Sequence, residues 1–106
     1  MPIEEPLSGV QLISQVKSSG ELALSLRRIA LSPLQPHEVT VRIDAAPINP
    51  SDLWLMFGAA DMRVVSTAGT LDDPVATAPV PEAAMAGMAG RLNEPLPVGN
   101  EGAGVV

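Results

Sequence analysis

The amino-acid sequence predicts a mainly β fold in one domain, on three observations. Eleven prolines and nine glycines in 106 residues interrupt the chain too often for a helical bundle and favour short strands joined by turns. Two stretches alternate apolar and polar side chains at the period of a strand. The length allows one modest core, drawn largely from alanine and valine, because the aromatics are one Trp and one Phe.

The elements follow in order. Val10-Gln11-Leu12-Ile13-Ser14-Gln15-Val16 approximates the alternation of a first strand, and Lys17-Ser18-Ser19-Gly20 turns the chain. Leu22, Leu24 and Leu26 then share one face of a second strand. Ser32-Pro33-Leu34-Gln35-Pro36-His37 is a proline-punctuated connection, and Pro36 suits a turn entering a strand. Val39, Val41 and Ile43 alternate against Thr40, Arg42 and Asp44 in the clearest strand of the chain. Residues 8–46 therefore read as a β-meander. Asn49 can cap a short helix with Pro50 at its first position, Ser51 to Phe57 making two turns and Gly58 ending them. Residues 59–98 are low in charge. Within them, Ser66 to Pro81 lacks periodicity and reads as an excursion loop. Pro81 to Leu92 reads as a second short helix weakened by Gly87 and Gly90. Gly99-Asn100-Glu101-Gly102-Ala103-Gly104 is a constrained turn that runs into the apolar Val105-Val106. No turn or polar residue follows that pair, so the chain reads as the front part of a longer protein.

Composition removes several function classes. The net charge is −6 and no basic cluster is present, which argues against nucleic acid and against an anionic membrane as partners. The absence of cysteine excludes disulfides, thiol nucleophiles and thiolate metal ligands. Met1-Pro2-Ile3-Glu4-Glu5-Pro6 lacks the basic start and apolar core of a signal peptide, and no apolar run approaches the roughly 18 residues of a membrane span. A soluble, cytoplasmic protein is expected.

Two motifs carry a resemblance. Pro36-His37-Glu38-Val39-Thr40-Val41 through Ala46-Pro47-Ile48-Asn49-Pro50-Ser51-Asp52, and Pro95-Leu96-Pro97-Val98-Gly99-Asn100-Glu101-Gly102-Ala103-Gly104-Val105-Val106, resemble in that order two signatures of the medium-chain dehydrogenase/reductase superfamily. The resemblance implies a GroES-like β-barrel with one or two short helices: residues 1–106 would be the N-terminal catalytic domain, incomplete at its C-terminal end, with a divergent insert at 59–94. It places a dinucleotide-binding Rossmann domain outside this chain, and strands missing from the barrel would leave open edges that favour self-association.

The departures from the pattern are informative. Zinc-dependent members of the superfamily carry Cys where Asn49 stands and His where Asn100 stands. Two carboxamides replace a thiolate and an imidazole, so no metal ligand set is expected and the zinc-independent, quinone oxidoreductase-like branch is implied. NADPH would deliver hydride to a quinone or conjugated carbonyl, a small-molecule substrate, and would be held mainly by the Rossmann domain. The chain alone would be inactive, and the full-length protein a homodimer. An enoyl reductase-like member is disfavoured because the chain has no tyrosine. A stand-alone GroES-like binding or co-chaperone module is the alternative from another class.

Asn49 can hydrogen-bond substrate or nicotinamide, or simply cap the helix. Ser51 matches the hydroxyl of a proton relay, or is a structural serine of the helix. Asp52 can orient neighbours or face the helix N-terminus. Trp54 and Phe57, with Met56, form either core or domain-interface packing or one wall of an aromatic pocket. Asn100 and Glu101 line the site or satisfy the glycine turn. Met62, Met85 and Met88 belong either to a mobile surface excursion or to a lid. The spacing of Gly99, Gly102 and Gly104 reverses the dinucleotide-binding fingerprint and is not read as phosphate-binding.

Overall fold

The alternation at the start of the chain folds as an antiparallel hairpin. In the computed structural model, which describes residues 7–106, β1 (Ser8–Val16) and β2 (Glu21–Ala30) pair along their whole length, from Ser8 opposite Ala30 to Val16 opposite Leu22. Met1 to Pro6, read above for the absence of a signal peptide, lie outside the described residues. The hairpin is the centre of a five-stranded antiparallel sheet in the order β4-β5-β2-β1-β6. Here β4 is Ser66–Gly69, β5 is Pro74–Pro79 and β6 is Leu96–Pro97.

The segment read as an excursion loop is therefore a hairpin, and its second strand pairs with β2 from Glu21 opposite Pro79 to Ser25 opposite Val75. Periodicity fails to reveal it because its inward positions are small. Ala76 lies opposite Leu24 and Ala78 opposite Leu22, so the bulk comes from the neighbouring strand. Residues 59–94 accordingly contribute two strands to the main sheet rather than a loop outside it.

The meander does not form as predicted. The third strand, β3 (Arg42–Ala45), leaves the hairpin and pairs instead with β7 (Ala103–Val105) in a separate two-stranded sheet. Val39, Val41 and Ile43, the apolar side of the expected strand, are all exposed. Alternation specifies a strand and its two faces but not its partner.

The core sits at the turn end of the β1–β2 hairpin. Val16, Leu22 and Ala78 form a row across three strands, closed over by Val80 and Met88, with Leu24, Met85 and Leu92 around them. Met88 comes from the second predicted helix, which is observed as α2 (Glu82–Met85) continuing into a 3₁₀ helix at Ala86–Arg91. The tighter winding begins where the glycines do. Met88 is buried and Met85 packs on the core, so neither belongs to a surface excursion or lid; Met62 lies in a separate 3₁₀ turn, Met62–Val64.

The first predicted helix forms where expected. α1 (Pro50–Phe57) starts after Asn49, with Pro50 at its first position, and stops at Gly58, whose N–H donates to Trp54 O at 2.7 Å. Gly58 has φ +53°, a torsion that favours glycine, and an added Cβ would press on Met88 Sδ at 3.2 Å. The described chain is long, 58 × 28 × 22 Å, with a radius of gyration of 16.6 Å. A compact chain of this length has about 13 Å. The mainly β fold is therefore an open antiparallel sheet with short helices and a small side ribbon.

Candidate functional site

The start of α1 and the glycine-rich turn come together. Asn49 Nδ2 donates to Glu101 Oε1 at 2.7 Å across 52 residues of sequence. The pairing of β3 with β7 makes this possible, because Asn49 follows β3 by four residues and Glu101 precedes β7 by two. That pairing is close: a Cβ on Gly104 would run into the backbone carbonyl of Arg42, so glycine is required for the strands to meet.

Asp52 holds the other side of Asn49. Its Oδ2 accepts from the Asn49 N–H at 2.9 Å, while the Asp52 N–H donates to Asn49 O at 2.9 Å. This reciprocal closure fixes the first turn of α1 and leaves the Asn49 side chain free to reach Glu101. Asp52 is 3% exposed, and its Oδ1 has no hydrogen-bond partner among the described residues. Asn49 stands at the expected cap position, and its side-chain amide is held by Glu101.

The remaining predicted residues sit around this pair without being bonded to it. Ser51 and Trp54, three apart on the outer side of α1, are both exposed, Trp54 at 59%. Trp54 is thus not core. Phe57 is half-buried at the far end of the helix, and Asn100 is exposed beside Glu101. The two charged side chains of the cluster, Asp52 and Glu101, are acidic.

Among the described residues no group of three or more His, Cys, Asp or Glu side chains converges in metal-binding geometry. The expectation of no zinc rests on ligand chemistry, since two carboxamides and one carboxylate bonded to one of them make a poor zinc set. For NADPH the fit is partial. Asn49, Ser51 and Asn100 offer neutral donors suited to a carboxamide or carbonyl, but the acidic cluster has nothing to hold a pyrophosphate.

Sequence reasoning missed a buried polar relay. Arg91 Nη2 donates to Ser14 Oγ at 3.0 Å, and Ser14 Oγ donates to Met56 O at 2.9 Å. It links the 3₁₀ helix, β1 and the last turn of α1, and a cation there favours the helix C-terminus. Burial pushes the Arg91 guanidinium below its ordinary pKa, though arginine remains charged. No local feature of the sequence marks either residue. On the surface, the hydrogen bond from Arg63 holds Asp61 below the usual carboxylate range.

Cavities among the described residues lie away from these residues, two of them strongly apolar. A groove of about 710 Å³ separates the open end of the β1–β2 hairpin from the side ribbon, lined by Leu7, Val10, Ile29, Val41, Ile43 and Val105 among others. A second, of about 260 Å³, lies on the sheet over Leu12, Leu24, Leu26 and Ala76. No helix among the described residues is long and apolar enough to cross a membrane. A scan of protein-family models finds none that matches the chain, and a search of curated proteins finds no match either.

Proposed function

We propose that this chain is the substrate-side, GroES-like part of a cytoplasmic, zinc-independent, NADPH-dependent oxidoreductase of the quinone oxidoreductase-like branch of the medium-chain dehydrogenase/reductase superfamily. The observation that carries the reading is the Asn49–Glu101 hydrogen bond. It joins the two motifs on which the resemblance rests, at the residues that stand in or beside the zinc-ligand positions of metal-dependent members.

NADPH supplies the hydride when bound. Glu101 holds one N–H of the Asn49 amide and leaves the second to donate to a carbonyl oxygen. Ser51, exposed on the first turn of α1, adds a hydroxyl donor toward the same side. Donors fixed before the reaction stabilise the charge that develops on a quinone or enone oxygen as hydride adds. Trp54 offers an exposed flat face against which a planar acceptor can stack.

Titration of the isotope-labelled chain with 1,4-naphthoquinone tests the reading by nuclear magnetic resonance. Saturable shifts are expected at the Asn49 side-chain amide, Trp54 indole and Glu101 backbone, and Asn49→Ala should weaken binding about tenfold, the worth of one or two lost hydrogen bonds. Shifts confined to the groove around Leu7 and Val41, or no saturable shift, overturn it. The chain alone should not oxidise NADPH in the presence of the quinone; robust turnover would refute the assignment of coenzyme binding to another domain.

A further inference from the structure

We propose that two copies of this chain associate by antiparallel pairing of β3 with β3 of the second copy about a two-fold axis at Ile43. Among the described residues β3 has one partner, β7, so its other edge presents unpaired backbone donors and acceptors. Such an edge is a template for another strand.

The sequence of the edge selects the occupant and the register. With Ile43 opposite its own copy, Arg42 lies opposite the partner's Asp44 at both ends of the pair, while the irregularity in the β3–β7 ladder between Ile43 and Ala45 leaves Ala45 outside this register. The two Ile43 side chains then meet each other, and each Arg42 meets an opposite charge. The alternatives are each penalised. A shift of two residues sets Arg42 against Arg42 in one direction and Asp44 against Asp44 in the other. A shift of one residue brings the apolar side of one strand against the charged side of its partner.

The side chains needed are available. Within one chain Arg42 and Asp44 form only a surface ion pair, Nε to Oδ1 3.1 Å, with their side chains 77% and 50% exposed. Such a pair is worth little by itself and can be exchanged for the two intermolecular pairs. Val41, Ile43 and Val105 are exposed on a ribbon that no core covers. Pairing turns two isolated two-stranded ribbons into one four-stranded sheet, β7-β3-β3-β7, which is better able to sustain itself. This surface does not depend on what the Asn49 cluster binds.

Charge reversal tests it. Sedimentation velocity over a concentration series should show a monomer–dimer equilibrium for the native chain. Arg42→Asp and Asp44→Arg, each of which sets like charges opposite one another twice, should each raise the dissociation constant by about tenfold or more. An equimolar mixture of these two variants should re-form a dimer, as should the double variant R42D/D44R. Both substitutions alter exposed side chains, and recovery on mixing reports that both chains are folded. A native chain that stays monomeric, a dimer indifferent to both single reversals, or a mixture that fails to associate would each overturn the proposal.

Discussion

Ser14 is a fully buried hydroxyl that serves two neighbours, accepting from Arg91 and donating to the carbonyl of Met56. Ser14→Ala removes both bonds and leaves a partly buried carbonyl and guanidinium donor without their partner. The expected loss is about 1–3 kcal/mol in urea unfolding, and Gln15→Ala next to it should change stability far less. This scale was legible in part. Asn49 as the cap, Pro50 at the first helical position and Gly58 as the stop depend on local backbone chemistry and are read directly from residue type. Its contact with Glu101 depends on two strands meeting, and only the family resemblance pointed to it. Ser14 and Arg91 carry no local signature, since a serine within an alternating strand gives no hint that an arginine 77 residues later will reach it.

Among the elements, β3 and β7 depend on each other most sharply. Gly104→Ala drives a Cβ into the Arg42 carbonyl, and no rotamer can relieve a backbone clash. The variant should lose amide protection at Arg42–Ala45 and Ala103–Val105 and lose the Asn49–Glu101 bond. The five-stranded sheet, whose hydrogen bonds are separate, should keep its protection; hydrogen exchange reads both. The β1–β2 hairpin was legible because its alternation is carried by bulky residues and its turn by Lys17-Ser18-Ser19-Gly20. The β4–β5 hairpin was not, because alanines at its inward positions carry no contrast, though prolines bracket β5 at Pro74 and Pro79. The helix at Glu82–Met85 was legible up to Gly87, where residue type stops deciding between α and 3₁₀ winding.

For the whole molecule, apolar side chains are distributed unevenly. Val16, Leu22, Val80 and Met88 seal one end, while Leu7, Val10, Val41, Ile43 and Val105 stay open around the groove at the other. The folded chain should therefore bind an amphiphilic dye such as anilinonaphthalene sulfonate without denaturant, and Val10→Asp should reduce that fluorescence with little effect on the urea midpoint. Met88→Ala should do the reverse. It should lower stability by about 2–5 kcal/mol and leave dye binding at the groove intact until unfolding begins. Such a loss is a large share of the roughly 5–15 kcal/mol that holds a domain of this size.

The placement of Val80 and Met88 over Val16 and Leu22 also orders events during synthesis. The first hairpin leaves the ribosome with its inner row bare, and its cover is translated 66 residues after Leu22. At typical elongation rates that interval is about 3–13 s, far longer than a hairpin needs to form. The nascent chain thus carries the apolar strip of Val16 and Leu22 for seconds before Met88 can close over it.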